Sequence, residues 1–160
     1  MDLDETDQKI LYLLQETSRT TPTHQQIAER IDVSSSTVSN RLNALKEDGV
    51  LVDYAPIIDY EKAGIPHRIL FVCTAPIKDR NALAEQAISI HGVVGIQELL
   101  TGNQNLLVEA VASEAETIEN VAQELDDVGL EIELSEILRR EYTRPFNDFD
   151  SGVSDGADGS

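Results

Sequence analysis

Tryptophan is absent from this 160-residue chain, and four tyrosines and three phenylalanines are its only aromatic residues. Its cores must therefore be packed mostly with aliphatic side chains, which a 41% apolar content can supply. A single cysteine, Cys73, excludes an internal disulfide. Its place inside an apolar run predicts a small buried hydrophobe rather than a reactive thiol. The longest apolar runs are strand-sized, so no membrane span is expected, and no basic-then-apolar N-terminus suggests a signal peptide. These absences predict a soluble cytoplasmic protein. His24, His67 and His91 fit no metal-ligand spacing and read as solvent-facing histidines. No nucleophile elbow, phosphate loop or Cys/His cluster appears, so no catalytic residue, metal or cofactor is expected.

Basic charge is also scarce. Twelve basic residues stand against thirty acidic ones, a formal net charge of −18, and only four of the twelve are lysine. Residues 1–60 carry eleven acidic and five basic groups, and residues 61–160 carry nineteen and seven, so the excess covers every segment. In molar salt such self-repulsion is screened over about 3 Å and costs little. A dispersed, lysine-poor acidic surface is therefore expected of a halophilic protein, with an ordinary acidic protein as the alternative. Composition by itself argues against a nucleic-acid partner, but one stretch argues for it.

That stretch runs from Gln26 to Gly49, QIAERIDVSSSTVSNRLNALKEDG. A first helix is predicted from Asp4, with Asp7 as its capping partner, Leu3 as a staple, and Ile10, Leu11 and Leu14 as its apolar stripe. Pro22 prevents helical continuation through TSRT. A second helix opens at Thr23 with Gln26 completing a capping box, and buries Ile27, Ala28 and Ile31. Asp32 takes the turn position, where a left-handed backbone is needed. Ser34 caps a third helix that ends near Gly49. On that helix Val38, Leu42 and Leu45 face the core, and Ser36, Asn40 and Asn43 fall on the opposite side, with Thr37, Ser39 and Arg41 on the flanks. Two helices around a tight turn form a helix-turn-helix, whose second helix enters the DNA major groove. The following LVDYAPIID, interrupted by Pro56, suits an edge hairpin or wing.

Beyond Arg68 the pattern changes. RILFVCTA reads as a strand apolar on both faces, and a helix follows over about 81–89, capped by Asp79. Strands are predicted over 93–100 and 105–112, around the turn Thr101-Gly102-Asn103-Gln104. Ser113 and Glu116 would cap a helix striped by Ile118, Val121, Ala122 and Leu125, and the last strand is expected over 130–142. The order β-α-β-β-α-β is that of the ferredoxin-like fold. Two helices cover only one sheet face, so a second copy is expected on the other, giving a homodimer. The fold class is thus α+β, with a winged helix-turn-helix domain over 1–53, a linker or wing hairpin over 54–66, and a ferredoxin-like effector and dimerisation domain over 67–144. Residues 145–160, rich in Asp, Gly and Ser, read as a disordered acidic tail.

Over about residues 2–142 the sequence resembles the Lrp/AsnC (feast/famine) transcription regulators, especially in LDETDQKILYLLQE, IAERIDVSSSTVSNRLNALKEDGVL and LLTGNQNLLVEAV. Ser34, Thr37-Val38, Arg41, Leu45 and Gly49 sit at the family's spacing. The low-lysine surface makes the chain look like a member from a halophilic archaeon. The resemblance implies a dimer or higher oligomer that binds pseudo-palindromic double-stranded DNA and responds to a small metabolite, often an amino acid, near the glycine-bearing hairpin. Thr101, Gly102 and Asn105 are the residues it points to for the effector. Asn105 stands where the family usually carries Asp, so it either contacts ligand or simply shapes the hairpin.

For DNA, Ser36, Asn40 and Asn43 are expected at base edges, since amides pair bidentately with adenine. Ser34, Thr37, Ser39, Arg41 and Lys46 are expected on phosphates, together with the N–H groups opening the third helix. Arg41 is the strongest candidate, and its loss is expected to weaken DNA binding with little change in melting. Ser34 is needed as a cap with or without DNA. Two other functions are compatible with the two-part architecture: a DNA-inert partner subunit of related regulators, or an enzyme similar to haem-precursor decarboxylases. The second is disfavoured by the few basic groups beyond Arg68.

Overall fold

In a computed structural model the described residues are 1–16, 20–100, 102–149 and 153. The chain forms two compact units, one from residues 1–55 and 142–160 and one from residues 56–141.

The first unit holds α1 (Glu5–Gln15), α2 (His24–Ile31) and α3 (Ser35–Glu47). Each start is set by the expected cap. Asp4 accepts the Asp7 N–H while the Asp7 carboxylate accepts the Asp4 N–H, and Thr23 and Gln26 do the same for α2. Asp32 adopts φ 57°, ψ 52°, the left-handed turn that stops α2. Ser34 Oγ accepts the Thr37 N–H at 3.1 Å to open α3. Ile10, Leu13, Ile27, Ala28, Val38, Leu42 and Leu45 form the buried core, with Leu3, Leu11, Leu14 and Ile31 at its edge. Leu13 is thus more deeply buried than Leu11 or Leu14. It lies three residues beyond Ile10, and Asp7 lies three residues before, so Asp7 is carried into the core on the same stripe.

Two sequence expectations are revised, one over residues 51–66, which run from the first unit into the second, and one over residues 145–160. Residues 51–66 contain no strand, so the hairpin does not form; Pro56 donates no N–H, and Val52 and Ile57 stay exposed with no partner strand to cover them. The segment after residue 145 is not uniformly disordered either. Asn147–Phe149 form a short 3-10 turn, Phe146 and Phe149 meet edge to face with ring centroids 4.9 Å apart, and the Phe146 N–H donates to Gln15 Oε1 of α1. Val153 packs at the edge of the helical core. A ring–ring contact and a backbone bond to α1 order this stretch despite its acidic composition, with Phe146 still half exposed.

The second unit is a four-stranded antiparallel sheet of β1 (His67–Thr74), β2 (Val93–Glu98), β3 (Leu106–Ala112) and β4 (Glu131–Ile137), in spatial order β2-β3-β1-β4. Helices α4 (Arg80–Ala87) and α5 (Ala115–Asp127) complete the predicted ferredoxin-like order. Pairing of Phe71 with Val108 and of Cys73 with Leu106 sets the face that α4 and α5 cover, with Ala87, Val121, Leu125 and Leu130 filling the core. Leu70, Val72, Leu107 and Val111 alternate onto the opposite face, where Arg68 pairs with Glu109 and, at 2.8 Å, with Glu141.

Both predicted caps in this unit are corrected. Asp79 has helical φ/ψ, so its carboxylate cannot turn back to cap α4. Helix α5 starts one residue late for a box between Ser113 and Glu116: the cap position falls on Glu114, and no side chain bonds there. Strand β4 also ends at Ile137, well before Tyr142.

Candidate functional site

The reading face of α3 is built by its opposite one. Val38, Leu42 and Leu45 are each at most 3% exposed, which turns Ser36, Asn40 and Asn43 outward by helical geometry alone. Ser34 and Lys46 are also exposed, whereas Thr37, Ser39 and Arg41 are half-buried on the flanks. At the helix start, Ser34 Oγ lies 3.0 Å from Ser36 Oγ and 2.8 Å from Thr37 Oγ1, a cluster of three hydroxyls around the first N–H groups of α3. No charged side chain occupies the row Ser36–Asn40–Asn43 itself, which offers hydrogen-bond donors and acceptors, and the exposed Glu47 continues that row as a negative charge at the far end of α3.

Arg41 is placed differently from the expectation. Its Nη1 lies 2.7 Å from Asp4 Oδ2 and 3.5 Å from Asp7 Oδ2, with Asp7 only 1% exposed. On the helix wheel Arg41 falls about 65–70° from the middle of the buried stripe, on the flank from which its long side chain reaches the start of α1. Asp7 Oδ1 is buried without a hydrogen-bond partner among the described residues, so Arg41 is the cation that offsets this carboxylate. The expectation that losing Arg41 leaves stability unchanged is therefore corrected. Hydrogen bonding from the Asp7 N–H, then the Arg41 charge, hold the Asp4 carboxyl below the usual aspartate range against an opposing effect of burial.

Two features of this face were missed from the sequence. Asp7 belongs to it through Arg41, and its position three residues before Ile10 was the available signal. Tyr54 belongs through Lys46, whose Nζ lies 5.5 Å from the centre of the Tyr54 ring. Nothing in the spacing of residues 46 and 54 foretells that contact.

The hairpin between β2 and β3 is the second candidate site. Thr101, expected to contact an effector, lies outside the described residues. Gly102 is exposed with φ +97°, a left-handed backbone suited to glycine. Asn105 is not open to a ligand: it is 3% exposed, its Oδ1 accepts the Ala75 N–H at 2.9 Å, and its Nδ2 donates to the Ala75 carbonyl at 2.8 Å. Its effector assignment is corrected for that reason, and hairpin shaping is its role. Arg80, which drew no attention in the sequence, donates from Nη1 to the Leu99 carbonyl and lies 3.2 Å from Glu98. It thus braces the strand end leading into the hairpin. Among the described residues, no group of three or more His, Cys, Asp or Glu could hold a metal ion, and no helix is long and apolar enough to cross a membrane.

A family profile described as winged helix-turn-helix DNA-binding matches residues 3–52, the stretch that holds the capped helices and the reading face. The HTH-type transcriptional regulator LysM of Sulfurisphaera tokodaii is 30% identical over 127 residues, covering 79% of this chain and 85% of its own. Among solved structures, Bacillus subtilis LrpC is similar with a TM-score of 0.72 at 18% identity, over 89% of this chain and 99% of that one. A Neisseria meningitidis transcriptional regulator solved as an L-Met complex is similar with a TM-score of 0.72 at 24% identity, over 90% and 94%. At these identities the two structural likenesses concern fold.

Proposed function

The chain belongs to the HTH-type transcriptional regulators, and from that premise we propose that it is a regulator of the Lrp/AsnC kind. In this reading it binds pseudo-palindromic DNA as a dimer or higher oligomer and reads sequence through α3. The observation that carries the reading is the outward row of Ser36, Asn40 and Asn43 behind a left-handed Asp32 turn. Asn40 and Asn43 pair with adenine edges, and Ser34, Thr37, Ser39 and Lys46 contact phosphates with the first N–H groups of α3. Arg41, tied to α1, is a secondary phosphate contact.

The half-buried Leu70, Val72 and Leu107 on the sheet face away from α4 and α5 support a second copy of the chain there. An amino acid bound near Gly102 is the proposed effector; the L-Met complex of the Neisseria relative in fold supports that ligand class. Names of transcriptional regulators among the sequence relatives favour this reading over an enzyme.

The net charge of −18 sets the salt behaviour. A basic protein making several phosphate contacts loses affinity with a slope of roughly −0.9 per contact in log K against log salt. An acidic head whose three reading side chains are uncharged relies more on hydrogen bonds and fit, and takes up cations between facing negative surfaces, that of Glu47 at the end of the row included. Binding to an enriched duplex is expected to persist or strengthen as KCl rises toward molar levels, as a halophilic protein requires. Fluorescence titration across that range tests it, and a steep monotonic loss of binding, or no enriched duplex at all, would overturn it.

A further inference from the structure

We propose that Tyr54 is a positioning residue for DNA binding, its ring holding the Lys46 ammonium on the flank of α3 where a backbone phosphate can meet it. The inference rests on α3 being the DNA-reading helix. Four cations lie on the helices of the first unit, and three of them are already committed to carboxylates: Lys9 to Glu5 at 2.6 Å, Arg30 to Glu16 at 2.5 Å, and Arg41 to Asp4 at 2.7 Å. Lys46 has no carboxylate within ion-pair distance among the described residues and stands over the Tyr54 ring instead. An aromatic face orders a lysine without neutralising it, whereas a carboxylate does both. Lys46 is therefore the helix cation whose charge remains whole.

The chain leaving α3 is folded to bring the ring there. Val50 and Leu51 both donate N–H bonds to the Leu45 carbonyl, which turns the backbone sharply behind the helix end. Asp53 Oδ1 then accepts the Tyr54 N–H at 2.8 Å. Burial raises the phenol above its ordinary range, so the ring is neutral at physiological pH. Lys46 lies on the flank of α3 opposite Arg41, about 90° from the middle of the exposed row, where side chains meet the phosphates bordering a groove rather than base edges. The ring's contribution is preorganisation: a four-carbon stem that is already ordered loses less freedom when a phosphate arrives.

The test uses full-length wild type, Lys46→Ala, Tyr54→Phe, Tyr54→Ala and the double variant Lys46→Ala/Tyr54→Ala. Each is titrated into a fluorescent duplex that wild type enriches from a random-sequence library, over a KCl series, with thermal melts alongside. Lys46→Ala is expected to weaken binding and to shift the log K against log salt slope by about 0.9 in the positive direction. Tyr54→Ala is expected to weaken binding about two- to fivefold, the range of an exposed cation–ring contact. It should cost nothing further when Lys46 is already alanine. Tyr54→Phe, which keeps the ring, should bind like wild type. Should Tyr54→Ala fail to fold, Tyr54→Leu keeps the bulk without the ring face. Equal losses from Tyr54→Ala in both backgrounds, no loss in either, or a Tyr54→Phe as weak as Tyr54→Ala would each overturn the assignment. If wild type enriches no duplex, the DNA-binding reading itself falls and this inference with it.

Discussion

The side chain of Asn105 pairs with both backbone polar groups of Ala75, accepting its N–H at 2.9 Å and donating to its carbonyl at 2.8 Å. The pairing closes the end of β1 against the start of β3, where the Asn105 N–H also donates to the Cys73 carbonyl. It needs one donor and one acceptor on a single planar group, which an amide supplies and an ionised carboxylate does not. Asn105→Asp keeps the acceptor, loses the donor and sets a negative charge against the Ala75 carbonyl in a buried position. We predict a loss of about 1–3 kcal/mol at neutral pH by urea denaturation. The loss should shrink toward acid pH, where a protonated carboxyl regains the donor. A pH-independent loss would show that the bond to the carbonyl is not the element that matters.

Arg41→Ala should destabilise the protein. It strips the cation from Asp7, which is buried, but Arg41 and Asp4 are themselves 39% and 47% exposed, so water softens the cost to about 1–2 kcal/mol. The pH dependence carries a sign. The Asp4 carboxyl is held low by the Asp7 N–H first and by Arg41 second. A depressed folded pKa gives stability that is present above about pH 4 and is lost as pH falls through the folded value. Removing Arg41 removes one of the two causes, so the acid limb of the variant should be shallower than that of wild type. Superimposable limbs would separate Arg41 from Asp4.

Cys73 should be inert in the folded protein. It is fully buried, and burial first, with the Glu133 charge second, pushes its thiol up to about 11. Iodoacetamide at neutral pH should modify it only after denaturant is added. Rapid labelling of native protein would show that the sheet opens locally well below the cost of global unfolding.

Asp32 adopts φ 57° between α2 and α3. Glycine takes that conformation without strain, whereas alanine has neither glycine's freedom nor a short polar side chain to help. We predict that Asp32→Gly is neutral or stabilising by up to about 1 kcal/mol and that Asp32→Ala is destabilising by about 1 kcal/mol, both measured by thermal denaturation. Equal stabilities for the two variants would mean that the Asp32 side chain, not its backbone, governs the turn.

Local signals were legible in the sequence where a side chain acts within four residues of its own position. The Asp4, Thr23 and Ser34 caps and the Asp32 turn all have that character. Caps at Asp79 and Ser113 failed because a single residue of shift, or one residue in helical φ/ψ, undoes a motif whose register is three. Partners distant along the chain were not legible. Arg41 with Asp7, Lys46 with Tyr54 and Asn105 with Ala75 are fixed by how elements pack, and no periodicity in one segment encodes the neighbour supplied by another. The exposed row of α3 was legible because an apolar stripe defines its own reverse side.

The docking of Phe146 and Val153 beside α1 bears on how the protein can be cut. The DNA-reading unit is not contiguous in the gene: it takes its first 55 residues from one end of the chain and its closing aromatic turn from the other. A fragment ending at residue 55 would lack the Phe146 bond to Gln15 and the Val153 packing beside the helical core. A deletion of the last dozen or so residues, of the kind made routinely to trim an acidic tail before crystallisation, would cut into the same reading head.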